Sequence, residues 1–97
     1  MIIRIVKMSF QSQSLAEFLD FINKHKNKIR NFNGCRLLEI YQEQDDASTI
    51  FSYSHWDSIE SLENYRKSKL FRELWATTKT WFKEPPEAWT VDKIDPV

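Results

Sequence analysis

The alternation of apolar and polar residues divides this chain into four strands and two helical segments. Apolar residues recur every three or four positions over 15–30, which predicts a first helix. The same spacing recurs over 57–82, but it is interrupted at 66–68, so we predict a broken helix that ends before Pro85. Runs rich in β-branched and aromatic residues predict the strands. The predicted strands are residues 2–10, 35–43, 49–56 and 88–94.

Polar residues suited to capping stand at the predicted helix ends. Ser14 and Glu17 fit a capping box, in which the serine accepts a backbone N–H and the glutamate reaches back. Asp57 is expected to cap the first part of the broken helix, and Ser68 its second part. Gly34, the only glycine, is expected to follow the first helix with a positive φ.

The order strand, helix, strand, strand, broken helix, strand predicts a ferredoxin-like α+β sandwich in a single domain, residues 1–97. Right-handed crossovers place both helical segments on one face of a four-stranded antiparallel sheet. The other face is also rich in apolar side chains, which a monomer leaves uncovered. The residues expected there are Ile3, Ile5, Phe51, Tyr53 and Trp89. We therefore predict a homodimer in which two helix-free sheet faces pack together.

Composition and charge exclude several classes of function. Lys+Arg and Asp+Glu both total 14, so the chain lacks the basic surplus of proteins that bind nucleic acids or membrane surfaces. No apolar run approaches the ~20 residues of a membrane span, and we expect a cytoplasmic protein. A single cysteine, Cys35, provides neither a disulfide nor a cysteine metal cluster. The single glycine excludes glycine-rich nucleotide loops, so we expect no cofactor.

Strand parity predicts a ligand cavity between the sheet and the helices. Ser52 and Trp56 share one face of the third strand, where small serines leave space among large residues. The expected wall is mainly apolar and suits a small aromatic molecule. Its predicted residues are Val6, Met8, Ser52, Trp56, Phe71 and Trp75. Tyr65 and Arg66, at the break in the helix, are expected at the cavity mouth, where the phenol donates to a substrate oxygen and the guanidinium steadies an enolate.

His55 is the other candidate for catalysis, because histidine titrates near neutral pH. Its parity places it opposite Trp56, towards the predicted dimer face, unless a bulge turns it into the cavity as a base. Ordinary core packing is the alternative role for the aromatic residues around the cavity.

Motifs around the second and third strands resemble those of a known family. The third strand ends in Trp56, and the turn of Asp57 and Ser58 follows it. The further motifs are the run Leu62, Tyr65, Ser68, Phe71 and the turn Phe32-Asn33-Gly34-Cys35. In these features the chain resembles the antibiotic biosynthesis monooxygenase family of dimeric α+β barrels over nearly its whole length. That family includes enzymes that oxidise small aromatic polyketides or quinols with dioxygen, without metal or flavin.

The resemblance implies a cofactor-independent monooxygenase, with Trp56 and Tyr65 as the catalytic residues. Anthrone-oxidising members place an asparagine four residues before the tryptophan, where this chain has Ser52. Haem-degrading members use an asparagine on the first strand and a tryptophan and a histidine ligand on the broken helix. Those positions hold Val6, Tyr65 and Trp75, so the resemblance does not extend to haem degradation.

Two other functions share this pattern of elements. A non-catalytic domain that binds a small ligand, or that serves only as a structural dimer, would have the same fold. RNA-recognition motifs also share the element order and stack bases on two aromatics of the sheet, a spacing that Phe51 and Tyr53 have. However, the Lys/Arg-Gly start of that motif and the aromatic of its first strand are absent, so we expect no nucleic-acid partner.

Overall fold

The computed structural model describes residues 1–97 and contains four strands and three α-helices. The elements are β1 (Ile2–Ser9), α1 (Leu15–Arg30), β2 (Cys35–Gln42), β3 (Thr49–Trp56), α2 (Ile59–Arg66), α3 (Lys69–Thr78) and β4 (Glu87–Asp92). Two short 3-10 turns, Ser12–Ser14 and Lys79–Trp81, precede α1 and follow α3. None of the helices is long and apolar enough to cross a membrane.

The strands form one antiparallel sheet in the order β2-β3-β1-β4. The central strands β1 and β3 pair without interruption, beginning with Ile2 opposite Trp56. β4 pairs with the free edge of β1, and β2 pairs with β3 through a register shift between Cys35 and Leu37. All three helices contribute side chains to one face of this sheet. The predicted ferredoxin-like α+β sandwich is therefore confirmed.

Two buried clusters occupy opposite ends of the helix-covered face. The first consists of Met8, Phe10, Phe18 and Ile50, and the second of Cys35, Trp56 and Leu62. In the first cluster the rings of Phe10 and Phe18 stack with centroids 4.1 Å apart. The pair Met8–Ile50 lies near one end of the central strands and the pair Ile2–Trp56 at the other. The middle of the sheet therefore lies between two packed regions.

Serine residues cap α2 and α3, although only one of these caps was predicted. Ser68 accepts the backbone N–H of Phe71 at 3.1 Å, as expected. For α2 the cap is Ser58 and not Asp57, because Ser58 is extended and accepts the N–H of Ser61 at 3.1 Å. The carboxylate of Asp57 instead accepts two hydrogen bonds from the guanidinium of Arg36, each 2.7 Å long.

The predicted capping box at Ser14 is wrong. Ser14 precedes α1, but it ends a 3-10 turn and has helical backbone angles, φ −101° and ψ −8°. A serine cap normally needs an extended backbone to aim its hydroxyl at the next turn. Here the side chain caps nothing. The helix start is instead preceded by a hydrogen bond from the N–H of Ser14 to the carbonyl of Gln11, 2.9 Å long.

Other element ends differ from the prediction by a few residues. The helix α3 ends at Thr78 and continues only as a 3-10 turn, not as an α-helix to residue 82. β1 ends at Ser9, and Phe10 forms an isolated bridge with Phe82.

Gly34 has the expected positive φ of 93°. A β-carbon at Gly34 would also meet the side chain of Ser61 at 2.5 Å, so close packing adds to the backbone requirement.

The helix-free face carries the five residues predicted for it. Ile5 lies in register between Tyr53 on β3 and Trp89 on β4. Ile3 is covered by its neighbours in the single chain, whereas Trp89 is 43% exposed. His55 also lies on this face, as its parity predicted, with Nε2 3.0 Å from the hydroxyl of Tyr53. Partly exposed aromatic residues on this face are consistent with a partner sheet, and the homodimer stays a prediction.

Phe51→Asp is expected to disrupt that homodimer, because it replaces an aromatic side chain of the helix-free face, opposite Lys7, with a carboxylate that the partner sheet would bury. We expect the native protein to sediment as a dimer and the variant as a monomer or as insoluble protein. Thr77→Asp, at an exposed position of α3, is the control and should leave the dimer intact. A folded Phe51→Asp variant that remains dimeric would contradict the assigned interface.

Candidate functional site

A cavity of about 230 Å³ lies between the sheet and the three helices. Alternate residues of β1 and β3 form its floor, and helical side chains form its roof. Most of its lining residues are apolar; the polar and charged ones are Arg4, Ser52, Ser54, Tyr65, Arg66 and Thr78. Pockets for drug-sized ligands measure roughly 300–1,000 Å³. This cavity therefore suits a smaller, mainly apolar molecule.

All eight residues predicted from the sequence line this cavity. They are Val6, Met8, Ser52, Trp56, Tyr65, Arg66, Phe71 and Trp75. Phe71 and Trp75 lie one helical turn apart on α3, with ring centroids 5.6 Å apart and planes 20° from parallel. The structure brings the eight residues together, while the roles assigned to them stay predictions. His55 is not part of the wall.

Small side chains in the middle of β3 help to create the space. Ser52 lies opposite Val6, and Ser54 lies opposite Arg4, between the two buried clusters. A larger residue at either serine would occupy part of the volume between floor and roof. The cavity thus follows from the register of the central strands and from the small size of these two serines.

Trp56 is held more firmly than a residue that only lines a cavity. It is 1% exposed, and its Nε1 donates a hydrogen bond of 2.9 Å to Oγ of Ser54. Its indole stacks on the ring of Tyr65, with centroids 4.9 Å apart and planes 24° from parallel. Parity placed Ser54 on the same face as Ser52 and Trp56, as one of the small residues that leave space, but it did not predict the hydrogen bond from Trp56. Trp56 therefore both packs in the core and borders the cavity.

The phenol of Tyr65 is a neutral polar group held among aromatic rings of the wall and core. Its ring is clamped among Trp56, Phe32 and Phe71, whose ring centroids lie 4.9 to 5.3 Å from its own. Burial, with the nearby Cys35 as a smaller cause, raises the pKa of Tyr65 well above its ordinary value. The phenol therefore stays protonated at neutral and mildly alkaline pH. Every fully enclosed side-chain oxygen or nitrogen in this protein has a hydrogen-bond partner. The hydroxyl of Tyr65 has no partner within the protein, so it is not enclosed and reaches accessible space.

Arg4 is the charged residue that sequence reasoning left without a role. Its only signal was a cation on an otherwise apolar face of β1. The structure places Arg4 half-buried in the cavity wall, with Nη1 donating a hydrogen bond of 2.8 Å to Oγ1 of Thr90. Burial lowers the pKa of Arg4, and the positive charge of Arg66 lowers it further, while Glu63 acts in the opposite direction. Arg4 remains a cation at physiological pH.

The wall is rich in hydrogen-bond donors but contains none of the side chains that usually act as a general base. Two guanidiniums, a phenol and hydroxyls line it, but no histidine, carboxylate, lysine or cysteine does. No three or more His, Cys, Asp or Glu residues converge elsewhere in the chain as metal ligands would. The arrangement is therefore suited to stabilising an anion and does not provide a side chain to remove a proton.

A family model for "Antibiotic biosynthesis monooxygenase" matches residues 1–76 of this chain. The chain belongs to the antibiotic biosynthesis monooxygenase family. This membership confirms the resemblance inferred from the motifs around the second and third strands. The match includes all eight predicted cavity residues and stops before β4.

Solved structures with the same fold have little sequence in common with this protein. A structure described as antibiotic biosynthesis monooxygenase superposes with a TM-score of 0.91 at 14% identity, over 98% of this chain and 100% of that one. A Mycobacterium tuberculosis protein gives 0.88 at 15% identity, over 97% and 95% of the two chains. A conserved Methanosarcina mazei protein gives 0.88 at 20% identity, over 95% and 92%. At these identities the likeness establishes the fold alone. No match was found among curated proteins.

Ser54→Ala is expected to destabilise the protein by ~1–3 kcal/mol, because it leaves the buried indole N–H of Trp56 without a partner. Ser52→Ala is the matched control on the same face of β3, and it should change the free energy of unfolding by less than ~0.5 kcal/mol. Denaturant unfolding of both variants measures the difference. Equal effects of the two substitutions would show that the bond to Ser54 does not hold Trp56.

Proposed function

We propose that this family member is a cofactor-independent monooxygenase that oxidises a small aromatic, quinol-type substrate in the cavity. One observation carries the proposal: the cavity is apolar, and the only charged groups in its wall are the cations Arg4 and Arg66, near the neutral phenol of Tyr65. Such a wall favours the anionic form of a bound acid over its neutral form. An aromatic substrate that forms its own carbanion needs this help, and it needs no cofactor.

The shape of the wall supports an aromatic substrate. The rings of Tyr65, Phe71 and Trp75 follow one another along the roof, with neighbouring centroids 5.2 and 5.6 Å apart. Flat apolar rings bury large areas and favour offset or edge contacts with a further ring. Val6 and Met8 complete the floor with apolar side chains. A planar ligand between floor and roof would be removed from water on both faces.

The proposed reaction converts a methylene group flanked by aromatic rings into a carbonyl. The methylene loses a proton to water at the cavity opening, because the wall has no base. The carbanion gives one electron to dioxygen, and the two radicals combine to form a carbon–oxygen bond. The resulting peroxide anion takes up a proton to give a hydroperoxide, which loses water as its O–O bond and the remaining C–H bond break. One dioxygen is consumed, and the products are one carbonyl and one water.

Side chains of the wall have distinct roles in this scheme. The phenol of Tyr65 donates to the substrate oxygen on which the carbanion's charge is delocalised. Arg66, at the end of α2, adds positive potential at the opening, although its bond of 3.1 Å to Glu63 offsets part of that charge. Trp56 supports the ring of Tyr65 and closes that end of the cavity. Water exclusion strengthens each of these electrostatic contributions.

Dioxygen uptake by the purified protein with anthrones and quinols tests the proposal directly. With anthrones, which carry the methylene of the scheme, we expect one dioxygen consumed per carbonyl formed, at a rate proportional to protein concentration and above that of heat-denatured protein. A protein that binds these compounds without accelerating uptake would instead be a ligand-binding domain, the alternative that the missing base favours. That result would contradict the proposed activity.

Tyr65→Phe is expected to reduce kcat at least tenfold while the melting temperature changes little. The substitution removes only a hydroxyl that has no partner within the protein, so the packing of the ring is retained. Tyr41→Phe, on the exposed part of β2 outside the cavity, is the control. Unchanged turnover in Tyr65→Phe would remove this residue from the mechanism.

Purified protein is expected to contain no haem, flavin or metal. The cavity wall has no histidine, cysteine or carboxylate to ligate an iron or another metal ion. Absorbance spectra and elemental analysis after gel filtration measure the content. A Soret band corresponding to nearly one haem per chain would contradict this expectation. It would also contradict the alignment of Val6, Tyr65 and Trp75 with the residues that haem-degrading members use.

A further inference from the structure

We infer that Arg4 binds a carboxylate carried by the aromatic substrate, with Arg66 adding positive potential beside it. The inference rests on the proposed function, because both place the aromatic part of the substrate in the same cavity. It goes beyond that function by naming an anionic group on the substrate and the residue that selects for it.

The position of Arg4 places a cation at one side of the cavity. Arg4 lies on β1 between Ser54 of β3 and Thr90 of β4, on the face that points towards the helices. Its guanidinium extends to Thr90. All six residues of β4 are exposed, so this side of the cavity is not covered by helices. A charged group of a ligand can therefore meet Arg4 near solvent while the aromatic part lies deeper.

Arg4 has no carboxylate partner within the protein. The four ion pairs of the structure are Lys24–Asp20, Arg36–Asp57, Arg66–Glu63 and Lys69–Glu73. The one side-chain partner of Arg4 is the neutral hydroxyl of Thr90, which uses one of its five N–H donors. A half-buried cation without a counter-ion is costly. An anion bound from solution would reduce that cost and would use the remaining donors.

The neighbouring charges increase this preference for an anion. Arg66 is close enough to Arg4 to disfavour its charged form, and the single carboxylate nearby, that of Glu63, is hydrogen-bonded to Arg66. Two guanidiniums and one carboxylate leave a net positive charge at this side of the cavity. The region therefore attracts anions before any specific contact forms.

The geometry of the guanidinium favours a carboxylate. Its planar fork donates two parallel hydrogen bonds that match the two oxygens of a carboxylate, and such charge-assisted bonds are roughly twice as strong as neutral ones. A single fork beside a small apolar cavity suits one carboxylate on an aromatic ring.

The experiment compares naphthoate with naphthalenemethanol, which have the same rings but differ in charge. Dissociation constants are measured by titration calorimetry with the purified protein. We expect naphthoate to bind roughly tenfold or more tightly than the alcohol, and this preference to fall as salt is added. Arg4→Gln should bring the two affinities to within about threefold of each other while leaving the alcohol's affinity nearly unchanged.

Matched variants separate the fork of Arg4 from general charge effects. Arg72→Gln removes the same charge from an exposed position of α3 outside the cavity, and it should retain the preference. Arg4→Lys keeps the charge but loses the fork, so it should retain only part of the preference. Arg66→Gln should weaken naphthoate binding by a smaller factor than Arg4→Gln. If Arg4→Gln does not fold, Arg4→Lys and Arg66→Gln carry the test.

Failure of the inference and failure of the proposed function give different results. Equal affinity for the two compounds in the native protein, or an undiminished preference in Arg4→Gln, overturns the carboxylate site. If the alcohol still binds and dioxygen uptake with neutral anthrones is intact, the proposed function stands without it. If neither compound binds, the carboxylate site is overturned together with the aromatic cavity that it requires.

Discussion

The uninterrupted antiparallel pairing of β1 with β3 is the constraint on which the rest of this structure depends. Because side chains alternate along paired strands, this register places Arg4 beside Ser54 and Val6 beside Ser52 on one face. A slip of one residue would exchange that face with the one that carries His55. The two buried clusters at the ends of the pair keep the register in place and leave a space between them.

The chemistry of the cavity follows from what surrounds that space. Large aromatic side chains supply most of the stabilising contact area of a small domain, and several of them also form the roof over the ligand space. The same residues therefore pack the core and line the cavity, Trp56 being the clearest case. The polar groups are few and mostly donors. A wall of this kind can change the acidity of a bound molecule, whereas proton removal must depend on the substrate and on water.

Family membership and fold restrict the function less than the site does. The fold is shared with solved structures that are 14 to 20% identical to this chain, and a shared fold does not fix the side chains of a cavity wall. Ser52 and Arg4 are side chains of this chain's own cavity wall. The proposed substrate preference therefore depends on these side chains and not on the fold.

The sequence alone determined the order of the elements, the helix-covered face and eight of the residues that line the cavity, because periodicity and parity are local properties of the chain. It located the cap at Ser68, but it predicted a cap for α1 that does not form and the wrong residue for the cap of α2. The backbone angles of Ser14 and the pairing of Asp57 with Arg36 depend on packing. Only the tertiary structure decided that Ser54 holds Trp56 and that Arg4 has no carboxylate partner. The partners of Arg4 illustrate the reason: Thr90 lies 86 positions away, and the absence of a counter-ion is a property of every element around it.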